Sequence, residues 1–126
     1  MALDVLIVED EPSILESLDF ILRRAGWSIE TVTDGEAALD AVRRFRPRVM
    51  VLDVMLPKRS GFEVLKQIRA DSIVHGLPVL ILTAKGQQQD RRIAEELGAD
   101  SFVTKPYSNA EVVDTVRRLL DQSPAA

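Results

Sequence analysis

Val5-Leu6-Ile7-Val8-Glu9-Asp10-Glu11-Pro12 decides the fold: four consecutive apolar residues, three acids and a proline. A short unbroken apolar run suits a strand buried on both faces, as in a parallel sheet covered by helices on either side. Pro12 then favours a helix start, because the first turn of a helix does not use its own N–H groups. Ile14, Leu15, Leu18, Ile21 and Leu22 follow at helical spacing, and Gly26 supplies a left-handed stop. One strand feeding one helix is the unit, and the rest of the chain repeats it.

Ile29 to Val32 reads as a weaker, half-polar strand, suited to a sheet edge. Asp34-Gly35 caps a helix carrying Ala38, Leu39 and Val42 inward. Val49-Met50-Val51-Leu52 is a third strand closed by Asp53, and Ser60 with Glu63 forms a capping box for a helix burying Val64, Leu65 and Ile68. Leu77 to Leu82 is a fourth strand closed by Thr83, followed by a polar helix from Gln87 to Leu97 with Gly98 behind it. Phe102-Val103 is a short fifth strand running into Lys105-Pro106, and Ser108 with Glu111 opens a fifth helix ending near Asp121. Five strand–helix units in succession predict a doubly wound α/β domain over 1–122, with 123–126 as a short tail.

The 126 residues make one domain's worth of chain, 46% hydrophobic and 29% charged, an ordinary globular balance. Without cysteine there is no disulfide framework and no thiolate metal site, and a single histidine, His75, excludes a zinc site of several imidazoles. His75 suits an exposed loop, and Trp27, next to Gly26, suits packing. Twenty acids against 16 bases give a net charge of −4. The arginines come as scattered pairs, so no direct nucleic-acid partner is expected. No run is long enough for a signal peptide or a membrane span, and a cytoplasmic protein with no membrane partner is expected.

Polar residues gather where the strands end. Glu9-Asp10-Glu11, Asp53, Thr83 and Lys105 each stand at the carboxyl end of a strand, the edge at which open α/β sheets bind ligands. Carboxylates drawn together repel unless a cation neutralises them, and an all-oxygen donor set suits Mg²⁺. Asp10 and Asp53 could bind it directly and Glu9 through a water. A lysine and a threonine hydroxyl opposite them would meet a phosphoryl group, which makes the rim suited to phosphoryl transfer onto Asp53.

Four segments carry a resemblance: Val8-Glu9-Asp10-Glu11; Val51-Leu52-Asp53-Val54-Met55-Leu56-Pro57 with Gly61 after it; Leu82-Thr83-Ala84; and Gly98-Ala99-Asp100-Ser101-Phe102-Val103-Thr104-Lys105-Pro106. In this order, each at a strand end, they resemble the receiver domain of a two-component response regulator, over about Leu3 to Asp121. The resemblance implies a flavodoxin-like five-stranded parallel sheet of order 2-1-3-4-5 with five helices. It implies that Asp53 accepts a phosphoryl group from a histidine kinase or phosphotransfer protein. The domain would be no enzyme in its own right but would assist its own phosphorylation and dephosphorylation. Mg²⁺ is implied as cofactor, on Glu9, Asp10, Asp53 and the Met55 carbonyl. Thr83, the Ala84 N–H and Lys105 would meet the phosphoryl group, with a cis bond from Lys105 to Pro106. Thr83 and Phe102 would form a switch that reshapes the surface of the fourth helix, fifth strand and fifth helix.

Receivers of this kind often dimerise through that surface, and Arg91 with Glu111 and Glu96 with Arg117 resemble two of the charge pairs used. Ser101 and Thr115 lack the charges of a third pair, and Arg92 and Glu95 stand where an apolar patch is expected. A monomer or weak dimer is therefore expected, acting alone on a downstream protein target. The alternative is the receiver part of a larger DNA-binding transcriptional regulator. Two other classes fit less well. A haloacid-dehalogenase-like hydrolase needs a second acid where Met55 stands. A flavodoxin-like electron carrier needs a phosphate cradle where Glu9-Asp10-Glu11-Pro12 would repel one.

Overall fold

A computed structural model describes residues 3–56, 60–83 and 88–122. Strands and helices alternate: β1 (Val5–Val8), α1 (Pro12–Arg24), β2 (Ile29–Val32), α2 (Gly35–Phe45), β3 (Val49–Asp53), α3 (Gly61–Ala70), β4 (Val79–Thr83), α4 (Gln88–Glu96), β5 (Ser101–Thr104) and α5 (Asn109–Gln122). All neighbouring strands are parallel, in the order β2-β1-β3-β4-β5. The expected topology is the observed one.

Strict alternation along the strands divides the core in two. Leu6, Val8, Met50, Leu52, Val79 and Ile81 face one side, where α2, α3 and Ala94 of α4 cover them. Val5, Ile7, Val49, Val51, Leu80, Leu82 and Val103 face the other, under α1 and α5. This explains why β1 is apolar throughout and β3 and β4 are apolar up to their last residues, Asp53 and Thr83, whereas edge strand β2 keeps only Ile29 fully buried.

Local chemistry sets the helix ends. Pro12 opens α1, and Gly26 beyond its end has φ +103°. Asp34 accepts from the Ala37 N–H at 2.8 Å, Ser60 from Glu63 at 3.3 Å and Ser108 from Glu111 at 3.1 Å. Each satisfies a backbone donor that a first turn leaves open.

Two strand boundaries differ from expectation. β4 begins at Val79, not Leu77, because the Leu77 N–H turns back to the Val74 carbonyl at 3.1 Å. β5 is longer than Phe102-Val103, since Ser101 and Thr104 also pair with β4. The anticipated tail 123–126 and the start of the fourth helix at Gln87 lie outside the described residues.

An arginine ties the opposite, amino-terminal edge together. Arg69 of α3 donates from Nε to the Gly98 carbonyl at 2.9 Å and from Nη1 to the carbonyls of His75 and Leu77 at 2.8 and 2.6 Å. Its Nη2 pairs with Asp100 at 2.8 Å. The same Asp100 oxygen accepts the Val79 N–H at 2.8 Å, so one side chain fixes the entries to both β4 and β5.

Candidate functional site: an acidic rim faced by Lys105

The chain leaves β1 toward β2 on one side, and β3 then pairs on the other side of β1. The crevice where strand order reverses therefore lies between β1 and β3. Val8 pairs with Leu52, which puts Glu9 and Asp53 at one level just past the ladder. Glu9, Asp10 and Asp53 bring one carboxylate oxygen each to within 4.8 Å of one another. Glu9 and Asp53 are buried and Asp10 is exposed, so the cluster has a closed floor and an open mouth.

β5 delivers the counter-charge. Lys105 Nζ lies 3.4 Å from Glu9 Oε1 and 3.4 Å from Asp53 Oδ1. The Lys105–Pro106 bond is cis, as the resemblance implied, and the Lys105 N–H donates to the Thr83 carbonyl at 2.8 Å. Glu9 Oε2 accepts from the N–H groups of Asp10 and Glu11 at 3.0 and 3.3 Å, and Asp53 Oδ1 accepts from Met55 at 3.3 Å.

Among the described residues, Lys105 is the cation within ion-pair reach of the cluster, and one positive charge does not neutralise three carboxylates. Burial, first, and then the adjoining Asp53 push the Glu9 carboxyl up to about 7, against the opposing pull of the Glu11 N–H and of Lys105. Protonation is one way to relieve such crowding; a hard cation is the other. The donors fit Mg²⁺, since all are oxygens and the exposed side leaves space for the waters it retains.

Thr83, at the end of β4, is buried, and its hydroxyl lies 3.3 Å from that of Thr104. Phe102 is half-buried in β5 against the core face that α2 and α3 cover, with the Arg91 guanidinium 5.1 Å above its ring. Met55 sits at the mouth with its side chain exposed. Ala84 and Pro57 lie outside the described residues. His75 is exposed, while Trp27 packs on the core face that α1 and α5 cover, beneath Arg117.

Three features have causes that a motif does not show. A Cβ at Gly61 would strike the Asp53 carbonyl oxygen and come within 2.8 Å of Val54 Cα, so α3 can start against the end of β3 only with glycine there. Tyr107, half-buried two residues after Lys105, has its hydroxyl pushed up to about 12 by burial, with Glu9, Asp53 and Glu11 adding to the shift. Thr104 pairs with Thr83 through the register of β4 and β5. Only the strand register reveals the last.

Sheet order and rim together define a class: flavodoxin-like signalling domains whose strand ends converge on a carboxylate cluster faced by a lysine. The chain belongs to the response regulator receiver domain family, which matches residues 5–117. It is 50% identical to TcrX of Mycobacterium tuberculosis over 116 residues, 92% of this chain and 49% of that protein. With the alkaline phosphatase synthesis transcriptional regulatory protein PhoP of Bacillus subtilis it shares 43% over 122 residues, 97% of this chain and 50% of that one. The chain thus spans about half the length of the curated relatives it matches. Among solved structures, the receiver domain of sensor histidine kinase PA1611 from Pseudomonas aeruginosa, which holds a magnesium ion in its active site cleft, superposes with a TM-score of 0.87. Identity there is 28%, with 96% of this chain and 99% of that one covered. A response regulator from Chloroflexus aurantiacus superposes at 0.91, with 31% identity and 96% and 99% coverage. Among the described residues, no helix is long and apolar enough to cross a membrane.

Proposed function

We propose that Asp53 is the phosphoacceptor of a two-component phosphorelay. The observation that carries this is the convergence of Glu9, Asp10 and Asp53 with Lys105, whose amine stands 3.4 Å from both buried acids. An Asp53 oxygen attacks the phosphorus of a phosphohistidine on a histidine kinase or phosphotransfer protein. The P–N bond breaks, the imidazole leaves with its electron pair, and an acyl phosphate remains on Asp53. Lys105 pairs with the new anionic oxygens and Thr83 donates its hydroxyl to one of them. Mg²⁺, when bound by Asp10, Asp53 and the Met55 carbonyl with Glu9 acting through a water, supplies the charge neutralisation that lets a phosphoryl group approach an acidic rim. The same groups serve the reverse loss of the phosphoryl group to water. Support for the metal comes from the all-oxygen cluster and from the magnesium-bound PA1611 receiver. The Ala84 N–H belongs to this proposal by resemblance.

Phosphorylation would reshape the face of α4, β5 and α5 through Thr83 and Phe102, and that face would act on a downstream partner. The expected absence of a nucleic-acid partner gains no support from the relatives: MtrA of Mycolicibacterium smegmatis, 42% identical over 116 residues, is a DNA-binding response regulator. A second reading is therefore kept, in which this chain is the receiver part of a longer transcriptional regulator. The half-length match favours it over the stand-alone role.

Mg²⁺ titration followed by amide NMR tests the site. The wild-type chain should bind weakly and saturably at Asp10, Asp53 and their neighbours. Asp10→Asn, which removes a direct ligand, should weaken binding by about tenfold or more. Equal affinity in the variant would remove Asp10 from the metal site.

A further inference from the structure

Thr83 and Thr104 are direct partners in the parallel pairing of β4 with β5. β4 lies between β3, which carries Asp53, and β5, which carries Thr104. A Thr83 hydroxyl bonded to Thr104 is therefore turned to the β5 side, away from the acid it is to serve. Thr83 is buried, and among the described residues its hydroxyl has Thr104 Oγ1 as its partner, at 3.3 Å. A buried hydroxyl without a partner is costly, so in the unphosphorylated domain this contact is what offsets the desolvation of Thr83.

We propose that Thr104 is a positioning residue that latches Thr83 in its resting orientation and so sets how readily the domain enters its phosphorylated state. The inference rests on the reading of the rim as a phosphoryl site. A hydroxyl carries one proton, so Thr83 cannot donate it to Thr104 and to a phosphoryl oxygen at once. If Thr104 is the donor, turning Thr83 toward Asp53 still stretches the contact. Either way, entry into the phosphorylated state gives up the Thr83–Thr104 bond, and the resting state is favoured by its net worth. At 3.3 Å the bond lies beyond the usual range for two hydroxyls, so its worth falls in the lower part of the span for neutral pairs. Thr104 stands at an exposed strand end, where valine keeps the branched shape that a strand accepts. Thr104→Val thus removes the latch and little else.

Beryllofluoride, a phosphoryl mimic, provides the probe, titrated with saturating Mg²⁺ and read by amide NMR of the whole chain. Thr104→Val should bind it about two- to fivefold more tightly than the wild type. Thr104→Ser, which keeps the hydroxyl, should bind as the wild type does, and Mg²⁺ affinity without beryllofluoride should be equal in all three. In a Thr83→Ala background the gain from Thr104→Val should vanish, which a general effect on the strand would not do. Unchanged or weaker binding by Thr104→Val, or the same gain without the Thr83 hydroxyl, overturns the latch. The wild-type arm separates the two claims. Absence of saturable binding there removes the phosphoryl site and the latch together, whereas wild-type binding untouched by Thr104→Val removes the latch alone.

Discussion

Glu9 concentrates the electrostatic tension of the rim. It is fully buried, it adjoins another buried acid, and its carboxyl is pushed up to about 7 from an ordinary 4.5. The folded chain therefore keeps a proton on Glu9 over a range in which the unfolded chain has lost it. Stability from this source is complete below about pH 4.5 and is lost as pH rises to about 7. The loss should be on the order of 1–2 kcal/mol, less than the whole shift implies because water reaches the rim past exposed Asp10. Urea unfolding at several pH values across that window, for wild type and Glu9→Gln, checks this. The wild type should lose stability relative to the variant as pH rises, and parallel curves would show that Glu9 ionises normally. Residues of this kind were legible as chemistry before they were legible as geometry. Glu9, Asp10, Asp53 and Lys105 stand beside unmistakable strand runs, so their common edge could be read directly. The Thr83–Thr104 contact could not, because it depends on which residues of β4 and β5 stand opposite each other.

At the scale of elements, the clearest sequence signals were those with local causes. Central strands announced themselves by unbroken apolar runs, and helix starts by Pro12, Asp34, Ser60 and Ser108. The two boundaries that differ have other causes, a local turn before β4 and strand pairing at β5. Leu77 is buried, but in a turn rather than in β4, and polar Ser101 and Thr104 join β5 because an edge strand needs only one buried neighbour face. Arg69 is a tertiary clamp beside both boundaries, since it holds the ends of the loops that enter β4 and β5. Replacing it with methionine keeps much of the apolar stem and removes every donor. Arg69→Met should cost about 1–3 kcal/mol in urea unfolding, a loss softened by water at the partly exposed acceptors. Amide exchange should quicken first at Val79, whose N–H shares the Asp100 oxygen with Arg69. Unchanged stability and exchange would show that the loops hold without the clamp.

For the whole molecule, the outer face of α4, β5 and α5 bears on assembly. Arg92 and Glu95 are exposed there, Arg91 lies over Phe102 of its own chain, and Arg117 lies over Trp27. Joining two such faces would desolvate Arg92 and Glu95, which stand where an apolar patch is expected. With Mg²⁺ and beryllofluoride the chain should therefore sediment as a single protomer at micromolar concentration. A stable symmetric dimer through this face would show that the pairs Arg91–Glu111 and Glu96–Arg117 suffice, as in a self-associating transcriptional regulator. If four strand ends come together to make Asp53 a phosphoacceptor, the chain should capture a phosphoryl group there. The intact chain is incubated with acetyl phosphate and Mg²⁺, then weighed by mass spectrometry and mapped by peptide fragmentation. A single phosphoryl group should appear on Asp53, vanish when Mg²⁺ is chelated, and be absent from Asp53→Asn. Labelling of Asp53→Asn equal to that of the wild type, or undiminished labelling in the presence of chelator, would contradict the account.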